Sequence, residues 1–331
     1  MEYESGTLIL LSGAAAILPT LFYVAIIYWV DRYEKEPGWL LAATFLWGAI
    51  PSIILALIFN VLGSLPFYLL GPTVGDAAGA ILIAPPVEET IKGVALLGIF
   101  LLLRHEVDSL LDGIIYGAMV GMGFAMVENF FYFISVYQEA GPEAWRLNIL
   151  LRALVFGLNH ALFASMTGLG LAVSRFATGR WIRVLAPVMG WSAAVLLHAI
   201  HNLGATFSGP LCLLLPFADW GGVWLMVAII VWALWQEKKW IRTYLKEEVA
   251  MGTMTVSQYE RACSGRARFS HRLSLLLEQG PSAYVTATRF YHHCSELAYK
   301  KHHFALLADE QSDERTRELR LTLRELSREA F

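Results

Sequence analysis

Apolar residues run in long blocks through the first two thirds of the chain, and charged residues collect between the blocks. A helix crossing the hydrocarbon core of a bilayer needs about 20 mostly apolar residues. Seven blocks reach that length: 7–30, 39–63, 79–103, 113–137, 149–173, 184–205 and 217–235. The first two hold no charged residue. Residues 64–78 are apolar but interrupted by Pro66, Gly71, Pro72 and Gly75. A re-entrant or interfacial piece is expected there, with an eighth span as the alternative. Beyond residue 235 the pattern becomes that of water-facing helices, with breaks at Gly252, Gly265 and Gly280-Pro281. In the last of them Leu319, Leu323 and Leu326 share one stripe, which predicts an amphipathic helix for packing or for a partner.

Composition supports a membrane protein. Of 331 residues, 56% are hydrophobic and 16% charged, with a mean hydropathy of +0.52. These values exclude a disordered chain, a collagen-like chain and a disulfide-rich secreted domain. Residues 1–235 carry 9 Lys and Arg against 15 Asp and Glu, and residues 236–331 carry 16 against 13. The expected organisation is an all-α polytopic membrane domain over 1–235 and a helical, water-soluble tail over 236–331, whose partner the sequence does not name. A net charge of −3 gives no reason to expect nucleic acid. Cys212, Cys263 and Cys294 are too scattered for a disulfide framework or a Cys-x-x-Cys metal site. His292, His293, His302 and His303 read as exposed helix histidines rather than metal ligands. The first residues lack the basic stretch of a cleavable signal peptide.

Loop charges set an expected orientation. The loops at 31–38, 104–112 and 174–183 and the start of the tail hold lysine or arginine, whereas the alternate loops hold only Arg146. By the positive-inside rule the N-terminus lies outside and the C-terminus in the cytoplasm. Seven spans keep this alternation at every loop, and a further span at 64–78 would spoil it.

Ionisable groups inside spans are costly and mark function by default. With Arg152 and Asp219 set aside as lying near span ends, they are Glu88, Glu89, Lys92, Glu128, His160, His198 and His201, joined by the amide of Asn202. Glu88 and Lys92 are four residues apart, as are Glu128 and Tyr132, Phe156 and His160, and His198 and Asn202, so each pair shares a helix face. Counted from the outer end of each span, Glu88 and Glu128 lie about 14 Å deep, His160 about 17 Å, His198 about 11 Å and Asn202 about 5 Å. Spans three and five run inward while four and six run outward, so a common layer is not built into the count.

That layer has the inventory for hydrolysing a carbonyl compound inside the bilayer. Adjacent carboxylates compete for negative charge, with Lys92 one turn away to compensate one of them. A carboxylate can activate water as general base, histidine can share the proton, and a second histidine with an asparagine can hold an oxyanion. No serine or cysteine nucleophile keeps company with these groups, and His-Glu-x-x-His is absent. Glu88, His160 and His198 could also supply three ligands to zinc, with water as the fourth. Pro85-Pro86 predict a helix restart that places Glu88 and Glu89 in its first turn. Gly113, Gly117 and Gly121 form a ridge suited to close helix packing. His201, about 60° around its helix from His198, reads as structural support.

Asp31-Arg-Tyr-Glu-Lys-Glu-Pro37, Glu88-Glu-Thr-Ile-Lys92, Asp112-Gly-Ile-Ile-Tyr-Gly117, Glu128-Asn-Phe-Phe-Tyr132, Phe156-Gly-Leu-Asn-His160 and His198-Ala-Ile-His-Asn202 occur in this order. In them the chain resembles PrsW-type intramembrane proteases, relatives of the CAAX-prenyl endopeptidases and the bacterial immunity-type membrane proteases. The resemblance covers residues 31–202 and does not reach the tail. It implies an endopeptidase of a bacterial cytoplasmic membrane that cuts a membrane-anchored protein, in some bacteria an anti-sigma factor cut on its extracytoplasmic side. By the same analogy Glu88 is the base that activates water, with His160 beside it. His198 and Asn202 stabilise the oxyanion, and Glu89, Lys92 and Glu128 support them. The prenyl endopeptidases carry Glu-Glu-x-x-x-Arg, whereas Lys92 stands one position earlier. Zinc dependence and a metal-free glutamate mechanism both fit the resemblance. Two other classes use similar groups: a proton-coupled transporter, which lacks support because the chain shows no duplicated halves, and a non-catalytic scaffold whose working part is the tail.

Overall fold

A computed structural model describes residues 4–207, 210–307 and 310–329, and every regular element among them is helical. In order these are α1 (Ser5–Val30), α2 (Gly38–Trp47), α3 (Ile53–Tyr68), α4 (Pro72–Ala78), α5 (Ala84–Leu102), α6 (Leu110–Ile149), α7 (Asn159–Phe176), α8 (Arg180–Thr206), α9 (Pro210–Ala250), α10 (Val256–Ala262), α11 (Gly265–Gln279), α12 (Pro281–Leu307) and α13 (Glu310–Glu329). Three π-helical turns, Gly48–Ser52, Gly79–Ile83 and Leu150–Val155, join consecutive helices.

Five helical stretches are long and apolar enough to cross a membrane: Ser5–Val30, Gly38–Tyr68, Leu110–Phe176, Arg180–Thr206 and Leu215–Ala250. Leu110–Phe176, at 67 residues, contains two of the expected spans. The expected span at 79–103 is not among the five, because its helix carries Glu88, Glu89 and Lys92. Residues 64–78 form the end of α3, a turn at Gly71 (φ 112°) and the start of the next helical run.

The chain divides into two compact units, one of Met1–Val30 and Glu36–Ile229, the other of Asp31–Lys35 and Ile230–Phe331. In the first unit α6 is buried without a break from Leu111 to Ala125. Its start is fixed by a capping box: Ser109 Oγ accepts from the backbone N–H groups of Leu111 and Asp112, and Asp112 Oδ2 accepts from Ser109 N at 2.8 Å. The glycine ridge faces α7. A Cβ on Gly113 would stand 2.4 Å from Gly168 O, on Gly117 2.5 Å from Ala164 O, and on Gly121 2.1 Å from His160 O. Only glycine permits this approach, which seats α7 on α6 backbone to backbone. Trp145 donates to Ser12 Oγ at 3.1 Å and ties α1 to the far end of α6.

The second unit has its own core, which includes Ile241, Leu245, Phe290, Leu297, Leu319, Leu323 and Leu326. The leucine stripe of α13 is thus a packing face. Arg268, 2% exposed, donates to Ala262 O at 2.8 Å, Tyr33 O at 2.9 Å and Ser295 Oγ at 2.8 Å, and Ser295 donates in turn to Tyr33 O at 2.7 Å. The 31–35 segment is therefore part of this unit's fold. The tail histidines are not the exposed residues expected from sequence: His303 is buried, and His302 stacks on Trp240 at 4.1 Å. His292, His293 and Glu296 offer ligand atoms within 4.8 Å of one another. Glu296 also accepts from Arg315 at 2.8 Å. Cys263 and Cys294 are buried free thiols, and the side chain of Cys212 lies outside the described residues.

Burial opposes the charge of Glu296, but hydrogen bonds from His293 and Arg315 outweigh it and hold its carboxyl at about 2. A carboxyl lowered on folding stabilises the fold above its unfolded value of about 4.3. Hydrogen exchange in α12 should therefore quicken as pH falls from about 4 toward 2. Arg315→Ala, which lets the folded carboxyl rise toward its unfolded value, should make that pH dependence smaller. At the helix contact, Gly121→Ala should lower the melting temperature of the purified protein by several degrees through overpacking, at about 1–3 kcal/mol. Gly98→Ala, where a Cβ meets nothing within 4 Å, should not lower it.

Candidate active site

The acidic pair is delivered by a helical run that continues through a π-turn instead of restarting at Pro85-Pro86. The π-turn Gly79–Ile83 passes into α5, whose opening residues include Pro85, and Glu88 and Glu89 follow just beyond the first turn rather than within it. Asn202 Nδ2 donates to Ala80 O at 2.8 Å, so α8 grips this π-turn. Lys92, on the next turn of α5, is fully enclosed. Its Nζ lies 2.7 Å from Glu89 Oε1, 3.8 Å from Glu88 Oε2, 3.2 Å from His160 Nδ1 and 4.0 Å from the centroid of the Phe124 ring. Buried charge persists only when compensated in this way.

Each imidazole carries a carboxylate on one nitrogen. His198, on α8 and 2% exposed, has Nδ1 at 2.9 Å from Glu89 Oε1. Its Nε2 lies 3.9 Å from Glu88 Oε2. His160, at the start of α7, has Nε2 at 2.9 Å from Glu128 Oε2, and its Nδ1 faces the Lys92 ammonium. The lysine can only donate, which assigns the lone pair of His160 to Nδ1 and the proton to Nε2. The two rings stand edge to face, 5.2 Å apart, and Phe163 stacks on His198 at 5.0 Å.

Glu88, Glu89, Lys92, Glu128, His160 and His198 thus meet in one cluster, and Asn202 supports its edge. Two further side chains complete it, and a third lies at its border. Asn60 of α3 donates to Glu88 Oε1 at 3.2 Å. Arg152, in the third π-turn, pairs with Glu128 Oε2, donates to Asn129 Oδ1 at 2.9 Å and lies 3.8 Å over the Tyr132 ring. Asp219 of α9 lies 2.7 Å from His201 Nδ1. Arg152 and Asp219 are visible in the sequence as charges inside apolar blocks, and their position near block ends hides them. An uncharged Asn60 carries no such signal.

The donor set suits a divalent cation. Glu88, His160 and His198 each offer one ligand atom, all within 4.8 Å of one another. Glu88 Oε2 is buried without a hydrogen-bond partner. His198, with Nδ1 on Glu89 and Nε2 toward Glu88, has the usual geometry of a metal-ligating histidine, whereas the lone pair of His160 faces Lys92 and would have to be released to bind an ion.

Acid and imidazole groups buried among apolar helices are the equipment of an intramembrane hydrolase. The chain belongs to the PrsW family of intramembrane metalloproteases, which it matches over residues 36–235. It is 27% identical over 241 residues to Protease PrsW of Geobacillus kaustophilus, an alignment covering 71% of this chain and 94% of the relative. It is 28% identical over 221 residues to Protease PrsW of Clostridioides difficile, covering 67% and 85%. Against Protease PrsW of Bacillus subtilis it is 28% identical over 207 residues, covering 62% and 87%. No solved structure matches. The chain is accordingly an integral membrane protein and a protease, with a membrane protein as its class of substrate.

Arg152→Met strands the Glu128 carboxylate beside His160. It should lower the melting temperature of the purified protein, whereas Arg146→Ala, which removes an exposed pair with Glu143, should leave it unchanged.

Proposed function

We propose that Glu88, Glu89, His160 and His198 form the catalytic centre of an endopeptidase that hydrolyses a peptide bond of a membrane-anchored protein within the outer half of the bilayer. An anti-sigma factor cut during regulated proteolysis is the substrate class implied by the sequence resemblance. The observation that supports this reading is the convergence of one carboxylate and two imidazoles on a common point, each imidazole backed by its own carboxylate.

The chemistry follows from the hydrogen bonds. Glu88 Oε2, which accepts no hydrogen bond among the described residues, takes a proton from water and directs the oxygen onto the peptide carbonyl. Glu89 holds the His198 ring by Nδ1, and Glu128 holds His160 by Nε2. Lys92, with His198 and the second amide proton of Asn202, balances the charge that develops on the carbonyl oxygen. Asn60 fixes the rotamer of Glu88 through its other oxygen. In the metal-dependent alternative, a divalent ion such as zinc held by Glu88, His160 and His198 would polarise the carbonyl and acidify bound water, in place of Glu88 acting as base.

Seven spans are proposed: the five long stretches, with Leu110–Phe176 counted twice, and the charged helix α5. The N-terminus then lies outside, residues 1–235 form the membrane protease domain, and residues 236–331 form a cytoplasmic tail.

In reconstituted membranes with a library of single-span substrates, Glu88→Gln, His160→Ala and His198→Ala should each abolish cutting. Full activity in any of them refutes the role given to that residue. Chelation should remove activity and zinc restore it. Turnover persisting with no bound metal would assign water activation to Glu88 alone.

A further inference from the structure

A second histidine–carboxylate pair borders the same site and has no part in the chemistry above. His201 of α8 has Nδ1 at 2.7 Å from Asp219 Oδ2, and the amide of Asn159 lies 3.0 Å from the same nitrogen. The Phe156 ring meets the imidazole edge-on at 5.3 Å, and Phe163, which stacks on His198, stands 6.3 Å away on another side. Asp219 is 4% exposed. The His201 side chain keeps 16% of its surface, and among the described residues its Nε2 has no hydrogen-bond partner.

The exposed part of that ring opens on a pocket. With His160, Arg152, Asn159, Asn129 and Phe156, His201 lines a small cleft. One wall of the pocket is therefore a member of the proposed catalytic cluster, and another is an imidazole oriented by a buried carboxylate. A tether between α8 and α9 would not need the ring to face a pocket, nor a carboxylate to be buried behind it.

We propose that His201, oriented by Asp219, delivers a proton to the amine that departs when the peptide bond breaks. The proposal rests on the reading that Glu88 activates the attacking water. In the first half of the reaction the water oxygen bonds to the carbonyl carbon, and one water proton passes to Glu88. In the second half the carbon–nitrogen bond breaks, its electron pair stays on nitrogen, and nitrogen takes the Nε2 proton of the His201 imidazolium. Asp219 stabilises that cation and keeps Nδ1–H toward itself. The proton on Glu88 returns through water to His201, so one water is consumed and no other reactant is needed.

The leaving group separates a proton donor from a structural tether. A single-span reporter peptide cut by the parent protein is compared with the aryl ester of its N-terminal fragment, ended at the mapped bond. A phenolate leaves without a donated proton, yet still requires water activation. In proteoliposomes His201→Gln should lower kcat for the peptide about 100-fold and for the ester less than about 5-fold. Asp219→Asn, which keeps size and shape, should show the same contrast more mildly. His201→Gln/Asp219→Asn should be no worse than His201→Gln alone, as for groups that act as a unit. Equal losses on peptide and ester would mark a tether and overturn the proposal, as would an unchanged peptide rate. Should His201→Gln fail to fold, the Asp219→Asn contrast alone decides. Glu88→Gln should stop both substrates. If it cuts either at the parent rate, the reading of Glu88 fails, a result distinct from any outcome at His201.

Discussion

Where α6 meets α7 the two backbones touch, and the cluster of charged groups depends on that contact. Side chains normally hold packed helices about 8–10 Å apart. Three glycines at four-residue spacing remove that spacer along one face of α6, and the last of them, Gly121, lies against the carbonyl of His160. Glu128, two turns further along α6, then reaches the His160 ring and accepts from its Nε2 at 2.9 Å. The apolar helix faces thus act as a jig for polar groups that could not gather without it, since each alone would be too costly to bury.

Inside the jig, charge is arranged by alternation. Lys92 stands among Glu88, Glu89 and His160, and Arg152 caps Glu128. Such networks contribute little net stability, because desolvation offsets most of the attraction. They do fix orientation. A histidine with a carboxylate on one nitrogen has a single tautomer and a defined direction for its other lone pair. Glu88 has one oxygen held by Asn60 and the other buried without a hydrogen bond among the described residues, between Lys92 and His198.

Much of the cluster is legible in sequence, because an ionisable side chain in an apolar block is conspicuous and four-residue spacing assigns it to a face. Glu88 with Lys92, and His198 with Asn202, are read this way. Asn60 escapes because an amide in a helix has many uses and no charge. Arg152 and Asp219 escape because a charge near the end of a block looks interfacial, whereas π-turns and long helices carry both groups into the protein. The helical run through Pro72–Leu102 is hard to read for a related reason. Three prolines and four glycines suggest breaks, yet the chain continues through a π-turn, which absorbs the missing N–H groups without ending the helix. The tail is legible as helix and as an amphipathic stripe. The burial of His302 and His303 is not, since histidine is at home both inside and outside.

The grip of Arg268 and Ser295 on the Tyr33 carbonyl makes the second unit discontinuous in sequence. Five residues that follow the first helix belong to a fold whose remainder begins almost two hundred positions later. Most of the second unit lies outside the stretch that matches the PrsW family, whereas those five residues belong to the Asp31–Pro37 motif in which the chain resembles that family. A graft of this tail onto a relative would therefore keep its packing only where the host's own loop after the first helix presents a carbonyl to Arg268 and Ser295, so tail and loop have to be matched as one part.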